Sequence, residues 1–336
     1  MLYHGTGPIR YSRQRHRNPA TMTTTKLKPD WAGNDLLSRL VNRAIQTPAL
    51  YALMKRQARQ VMIKTAEKNG VPWRQTCVDL DTPAMHQRLN ELTNPAVVYP
   101  DYYQVPFHAY TEGNLCWQAA FEAAPATYAM ALRIWPQEAI SWQEAQDRLR
   151  QSFLAVLDQH GPAQVTDILD LGCSVGISTL SVHRHYARRN PVRTVGLDLS
   201  PYMLAVAQSQ DPQGEAQWVH AQAEATGFPD AAFDLVTLQF VAHELPRSAT
   251  QAIFAEAMRV LRPGGAIAIV DNNPQSPVIQ ALPPVLFTLM KSTEPWSDDY
   301  YTFDLETALT EAGFESPVMV PSDPRHRTLV ARKTDG

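Results

Sequence analysis

The sequence predicts an α/β protein with a helical extension ahead of its parallel strands. Three observations lead there. Residues 165–200 read as strand, turn, helix and strand, the repeating unit of a parallel sheet. Apolar residues between 31 and 70 recur at helical spacing. The composition, 44% hydrophobic and 19% charged, is that of a chain that builds a core, and 336 residues allow one large core or two domains.

Bulk features narrow the classes further. No apolar stretch reaches membrane-spanning length. Cys77, Cys116 and Cys173 form no Cys-x-x-Cys pair and no cluster with histidine. Neither zinc nor a disulfide framework is therefore expected, and a reducing cytoplasm suits all three thiols. The net charge of −3 hides an asymmetry, because residues 1–70 hold 13 Lys and Arg against only Asp30, Asp35 and Glu67.

The first 29 residues contain no acid, and Arg10, Arg13, Arg15 and Arg17 lie among Tyr, Ser, Gly and Pro. Transit peptides share this composition, but no amphipathic helix accompanies it. Residues 1–25 are read as a mobile basic tail. Met22, followed by three Thr, reads as an alternative start.

Residues 26–150 are read as a helical, aromatic N-terminal cap. Leu36, Leu37, Leu40, Val41 and Ile45 form one helical stripe. After Pro48, Leu50, Leu53, Met54, Ala58, Val61 and Met62 continue it. Lys55, Arg56, Arg59, Lys64 and Lys68 mark the other face. That face is either plain solvated surface, or a peripheral contact through the basic residues of 39–68 with an anionic membrane or an acidic carrier protein. From 97 to 142 the chain is dense in rings, among them Tyr99, Tyr102, Tyr103, Phe107, His108, Tyr110, Trp117 and Phe121. An Ala-rich helix runs from about Leu115 to Leu132. The rings either cover a substrate, with Tyr110 and Trp117 as candidate contacts, or pack an accessory layer.

The unit at 165–200 carries the chemistry. The first strand ends in Asp170, Gly172, Cys173, Ser174, Val175 and Gly176 bring the chain round, and the second strand ends in Asp198-Leu199. A carboxylate at the tip of a second strand suits both hydroxyls of a ribose, and glycines let backbone pass close under a ligand. A dinucleotide site wants Gly-x-Gly-x-x-Gly facing a pyrophosphate. Here an acid precedes the turn, which suits a cationic amino-acid group instead.

This pattern resembles motif I of the class I S-adenosylmethionine-dependent methyltransferases, Asp/Glu-x-Gly-x-Gly-x-Gly. The resemblance implies Asp170 near the methionine end, Gly172, Cys173, Ser174 and Gly176 around the cofactor, and Asp198 with Leu199 at the ribose. Ser174 stands where the family has a central glycine. Phe228 to Gln239 resembles the family's fourth strand with its lead-in loop. Val260-Leu-Arg-Pro263-Gly264-Gly265 to Val270 resembles its helix end, turn and fifth strand, and Ala312-Gly-Phe314 the end of its last helix. Members of the ubiquinone/menaquinone branch carry Gly-Asp-Ala where this chain has Ala221-Gln222-Ala223. Gln222 keeps an acceptor for the adenine amino group without charge assistance. Gln239 closes the cofactor set.

The resemblance implies a Rossmann-like, seven-stranded, mostly parallel sheet with helices on both faces, over residues 151–336. A lid insertion is expected at about 272–301, where Asn272, Trp296 and Tyr300 are candidate substrate contacts. Catalysis by S-adenosyl-L-methionine needs alignment and, for weak nucleophiles, a base. His243, after strand four, is the first candidate, as base or as a wall of the cofactor pocket, and His108 is the second. No metal-ligand trio stands out, so no metal is expected. The expected function is methyl transfer to a small, largely apolar molecule by SN2 displacement. A nucleic-acid methyltransferase, a non-methylating cyclase or decarboxylase on the same fold, and a binding protein without turnover are the alternatives. No strong nucleic-acid signal is present, since no Asn-Pro-Pro-Tyr-type motif lies near strand four.

Overall fold

A computed structural model describes residues 36–334 apart from Ala109. The expected tail, residues 1–25, lies outside them. Five helices come first: α1 (Leu36–Ile45), α2 (Pro48–Lys68), α3 (Trp73–Leu80), α4 (Pro83–Leu92) and α5 (Trp117–Leu132). Pro48 splits the apolar stripe as expected, because it supplies the first turn of α2 without needing an N–H partner. The expected division at 150/151 falls inside α6 (Trp142–His160), a continuous helix capped by the Ser141 hydroxyl.

A seven-stranded sheet follows. Its strands are β1 (Asp167–Leu171), β2 (Arg193–Asp198), β3 (Gln217–His220), β4 (Phe233–Gln239), β5 (Leu261–Asn272), β6 (Val318–Val320) and β7 (His326–Arg332). They lie in the order β3-β2-β1-β4-β5-β7-β6. The first five run parallel, and β7 returns antiparallel against β5 and β6. Helices α7 (Ile177–Ala187), α8 (Pro201–Gln210) and α9 (Arg247–Val260) make the crossovers. The central strands are buried almost throughout, as strands covered on both faces must be, with Asp170, Thr237 and Gln239 as polar groups within them. Between β4 and β5 the Pro263-Gly264-Gly265 turn is accommodated by a register shift, Phe233 pairing Leu261 and Leu235 pairing Ala266.

The insertion after β5 is helical: α10 (Pro277–Gln280), α11 (Pro284–Thr293) and α12 (Ser297–Thr302). A last helix, α13 (Leu305–Glu311), leads into β6. The N-terminal helices pack onto the sheet layer through α4 and α5 against α8, while α1 lies along α11.

Two expectations about α1 and α2 need correction. Leu36, Leu37, Leu40, Leu50, Leu53 and Val61 are exposed among the described residues, so much of the stripe is not a core face. Arg59 does not belong to a solvated basic face. It forms an ion pair with Glu122 of α5, which is 3% exposed and also accepts the Tyr110 hydroxyl at 2.7 Å. Removing one partner of a buried pair strands the other charge. Arg59→Ala should therefore destabilise the protein by about 2–3 kcal/mol, read as a lower melting temperature. Lys55→Gln should leave the melting temperature unchanged.

Candidate active site

β1 ends at Leu171, and the chain turns through Gly172–Gly176 into α7. Gly172, Ser174 and Gly176 all have positive φ, at 68°, 49° and 79°. Gly172 N and Cys173 N both donate to the Leu197 carbonyl, at 2.8 and 3.0 Å, which fastens the turn to the tip of β2. Asp198 closes that strand. Its Oδ2 accepts from Ser174 N at 2.7 Å and its Oδ1 from Ser200 N at 2.8 Å. A carboxylate offers about four acceptor sites, so capacity remains for a further donor. Burial pushes the Asp198 pKa up to about 6, against the pull of the Ser200, Ser174 and Leu199 backbone donors.

Several expected cofactor residues sit behind this surface. Asp170 is 1% exposed and accepts from Thr179 Oγ1 at 2.5 Å, Thr237 Oγ1 at 2.6 Å and Gln239 Nε2 at 3.3 Å. Its carboxylate is committed inside the protein, and Gln239 is committed to it. A Cβ on Gly172 would meet the Val241 side chain at 2.7 Å, and one on Gly176 would strike the Trp218 ring. Both glycines therefore make room for the protein's own side chains. Cys173 is buried and packs with Leu180, Leu204 and Trp218. Gln222 gives its amide N–H to the Val98 carbonyl, which leaves its oxygen free. Leu199 and Ala223 flank the same region, Leu199 giving its carbonyl to His220 Nε2 at 3.0 Å.

The N-terminal layer meets the sheet here. His220 Nδ1 accepts from Asn94 N at 2.9 Å, and Tyr99 Oη lies 3.2 Å from its Nε2. Tyr103 stands beside both Asp198 and Glu244, and burial followed by those two charges drives its phenol pKa well up. The Asn114 carbonyl accepts the Ser200 hydroxyl at 2.7 Å, and Asn114 Nδ2 donates to Glu244 at 3.4 Å. Sequence reasoning passed over Tyr103 and Asn114. The clustering of rings was the one signal for Tyr103.

His243 and His108 come together. His243 Nδ1 donates to Asp271 Oδ1 at 2.8 Å, and Asp271 Oδ2 accepts His243 N at 3.1 Å. Burial opposes a charge on His243, but Asp271, then Glu294 and Glu244, outweigh it and raise its pKa to about 10. Burial lifts Glu244 to about 8, against the pull of His243. Burial and then the charge on His243 hold His108 well below the usual histidine range. Although no metal-ligand trio stood out along the sequence, the fold brings ligand-type atoms of His108, His243 and Glu244 within 4.8 Å of one another. The fold joins residues 135 positions apart in the chain, which spacing along the sequence cannot reveal.

The expected substrate contacts fall elsewhere. Tyr110 and Trp117 pack the N-terminal helices onto α8. Trp117 stacks on Phe121 at 5.2 Å and meets Tyr202 edge-on at 5.0 Å. Asn272 Oδ1 accepts from Arg325 Nε at 2.8 Å, and its carbonyl accepts the Tyr300 hydroxyl. Tyr300 is 2% exposed and stands edge-on to the His243 ring at 6.2 Å. Trp296 Nε1 donates to the Tyr102 carbonyl at 3.3 Å, joining the insertion to the N-terminal layer.

Residues 169–269 match the family model described as a methyltransferase domain. The chain carries a class I methyltransferase domain. A methyltransferase of Synechocystis, itself uncharacterised, is 34% identical over 44% of this chain and 66% of its own length. An O-methyltransferase of Penicillium expansum is 32% identical over 46% of this chain and 54% of its own. A demethylmenaquinone methyltransferase of Lactiplantibacillus plantarum is 34% identical over 34% of this chain and 48% of its own. The chain spans about half the length of the curated relatives it matches. A solved structure from Nostoc punctiforme, assigned as an O-methyltransferase, shares the fold at TM-score 0.50 and 19% identity, over 77% of this chain and 72% of that one. The methyltransferase domain explains the strand order and the turn after β1. The aromatic N-terminal layer lies outside the residues that the family model matches.

Ser174 carries the strain of this site. A non-glycine residue in the left-handed region costs roughly 1–2 kcal/mol. Ser174→Gly should raise stability by about 1 kcal/mol, measured by denaturant unfolding, because its bond to Asp198 uses the backbone and survives the change.

Proposed function

We propose that the chain transfers a methyl group from S-adenosylmethionine to a small, largely apolar acceptor, releasing S-adenosylhomocysteine. The observation that carries this reading is Asp198, a buried acid at the carboxyl end of β2. Its oxygens accept from the backbone N–H groups of Ser174 and Ser200 and keep acceptor capacity for a further group. That acceptor suits the hydroxyls of a ribose. The Gln222 amide oxygen would accept the adenine amino group, with Leu199 and Ala223 as apolar flanks. The cofactor, when bound, supplies a methyl already activated on a sulfonium. The protein's share is alignment and exclusion of water. Tyr103, Asn114 and the helices before them would cover the cofactor. His108 and His243 line the acceptor end, and Asp271 fixes which nitrogen of His243 faces it. Relatives named for methylation of a demethylmenaquinone and of a rifamycin support a small-molecule acceptor.

The setting we propose is cytoplasmic and reducing, in keeping with three free cysteines. No helix of the described residues is long and apolar enough to cross a membrane. Exposed Leu36, Leu37 and Leu40 lie close in sequence to Arg39 and Arg43, and this pairing of apolar and basic groups suits an anionic lipid surface. Replacing Arg39, Arg43, Lys55 and Arg56 with Gln should lower recovery on anionic liposomes. Unchanged recovery would return the face to plain solvation.

Asp198→Ala removes two charge-assisted hydrogen bonds, each worth roughly 1.5–3 kcal/mol, so cofactor affinity should fall at least about tenfold by calorimetry. Unchanged affinity would rule out the ribose assignment. The same carboxyl titrates near 6. Only its ionised form accepts both hydroxyls, so affinity should be full above that value and drop as pH falls through it, by about tenfold one unit below. Incubating the protein and labelled cofactor with small-molecule extracts tests turnover. Mass spectrometry should find a product one methylene heavier alongside S-adenosylhomocysteine. Tight cofactor binding without S-adenosylhomocysteine would point to the non-methylating alternative.

A further inference from the structure

We propose that His108, His243 and Glu244 form a site for one divalent metal ion of the borderline-soft kind, such as zinc or cobalt. The N-terminal loop supplies His108, and the turn after β4 supplies His243 and Glu244. One ligand-type atom from each lies within 4.8 Å of the other two. His108 Nε2 is 3.8 Å from Glu244 Oε1. Ligands bound at about 2.1 Å to one ion stand roughly 3–3.5 Å apart, so small side-chain rotations would close the set. Glu294, from the insertion, places Oε1 4.0 Å from the same His108 nitrogen and is a fourth candidate ligand.

A second observation is independent of those distances. Asp271 takes the Nδ1 proton of His243 at 2.8 Å and is itself held by Asn272 N at 2.7 Å. A carboxylate behind a histidine fixes the ring and its tautomer, and leaves the far nitrogen unprotonated in the neutral ring. That is the arrangement found behind metal-bound histidines. Two nitrogens with one or two carboxylate oxygens suit zinc or cobalt better than magnesium, which prefers oxygen alone. Three protein ligands leave a coordination position open to the cleft, where water or an oxygen of the acceptor would bind. The site stands whether or not the methyl-transfer reading does.

The test uses the full-length chain without an affinity tag, stripped by a chelator and free of S-adenosylmethionine. Zinc is titrated by calorimetry and cobalt by its visible absorption. The expected result is one ion per chain, with His108→Ala and Glu244→Gln each weakening affinity by at least about tenfold. His86→Ala, an exposed histidine on α4, should bind as the parent does. No saturable binding of either ion overturns the proposal, and so does a folded His108→Ala protein with undiminished affinity. If Glu244→Gln fails to fold, His108→Ala decides, since His108 lies on an open loop. S-adenosylmethionine is titrated separately. Loss of that binding with the ion still bound counts against the methyl-transfer reading alone.

Discussion

Asp170 joins β1, α7 and β4 through a single carboxylate. Thr179 reaches it from the helix, and Thr237 and Gln239 reach it from the neighbouring strand. Burial pushes this acid's pKa up, and the three donors hold it back. A charge taken from water costs several kcal/mol, and each hydrogen bond to it returns roughly 1.5–3 kcal/mol. Three donors are thus about what the group requires. The outcome is positional. Leu171 and the turn behind it have one place to go, and that place brings Ser174 N to Asp198. Asp198 is aimed by a carboxylate that stays buried in the protein.

The other half of the cleft comes from outside the sheet. Tyr103, His108 and Asn114 arrive on the loop before α5, and Glu294 and Trp296 arrive on the insertion after β5. The two segments touch, through His108 N to the Thr293 carbonyl at 2.9 Å and Trp296 to Tyr102. Glu244 lies at their junction with the sheet, bonded to Asn114 and close to His108. The region around His108, His243 and Glu244 is therefore a three-way seam, while the region around Asp198 is the product of one βαβ unit.

That division explains what could be read in the sequence. The strands, the turn after β1 and Asp198 follow from local pattern, because a βαβ unit puts its chemistry at fixed offsets. The role of Asp170 was misread, since the same acid can face a ligand or the core. Only the position of Thr179 and Thr237 decides between them. Tyr110 and Trp117 were singled out for being aromatic, yet large rings also fill helix interfaces, and these do. Arg59 looked like one more surface cation until Glu122, 63 residues later, supplied a buried partner. Asp271 and Glu294 went unremarked because each matters only beside a histidine that is remote in sequence.

The seam also has a consequence for how the molecule is built in time. His108 meets Glu244 across 136 residues, Tyr102 meets Glu224 across 122, and Tyr51 reaches the Ser292 carbonyl across 241. Closing such long loops is slow compared with forming neighbouring helices and strands. The sheet can assemble from nearby pieces, β1 with β2 and then β3. The seam must wait until the first and last thirds of the chain have both arrived. During synthesis, the early helices leave the ribosome long before their partners in the insertion exist. The region around Asp198 should therefore be complete while the seam is still open.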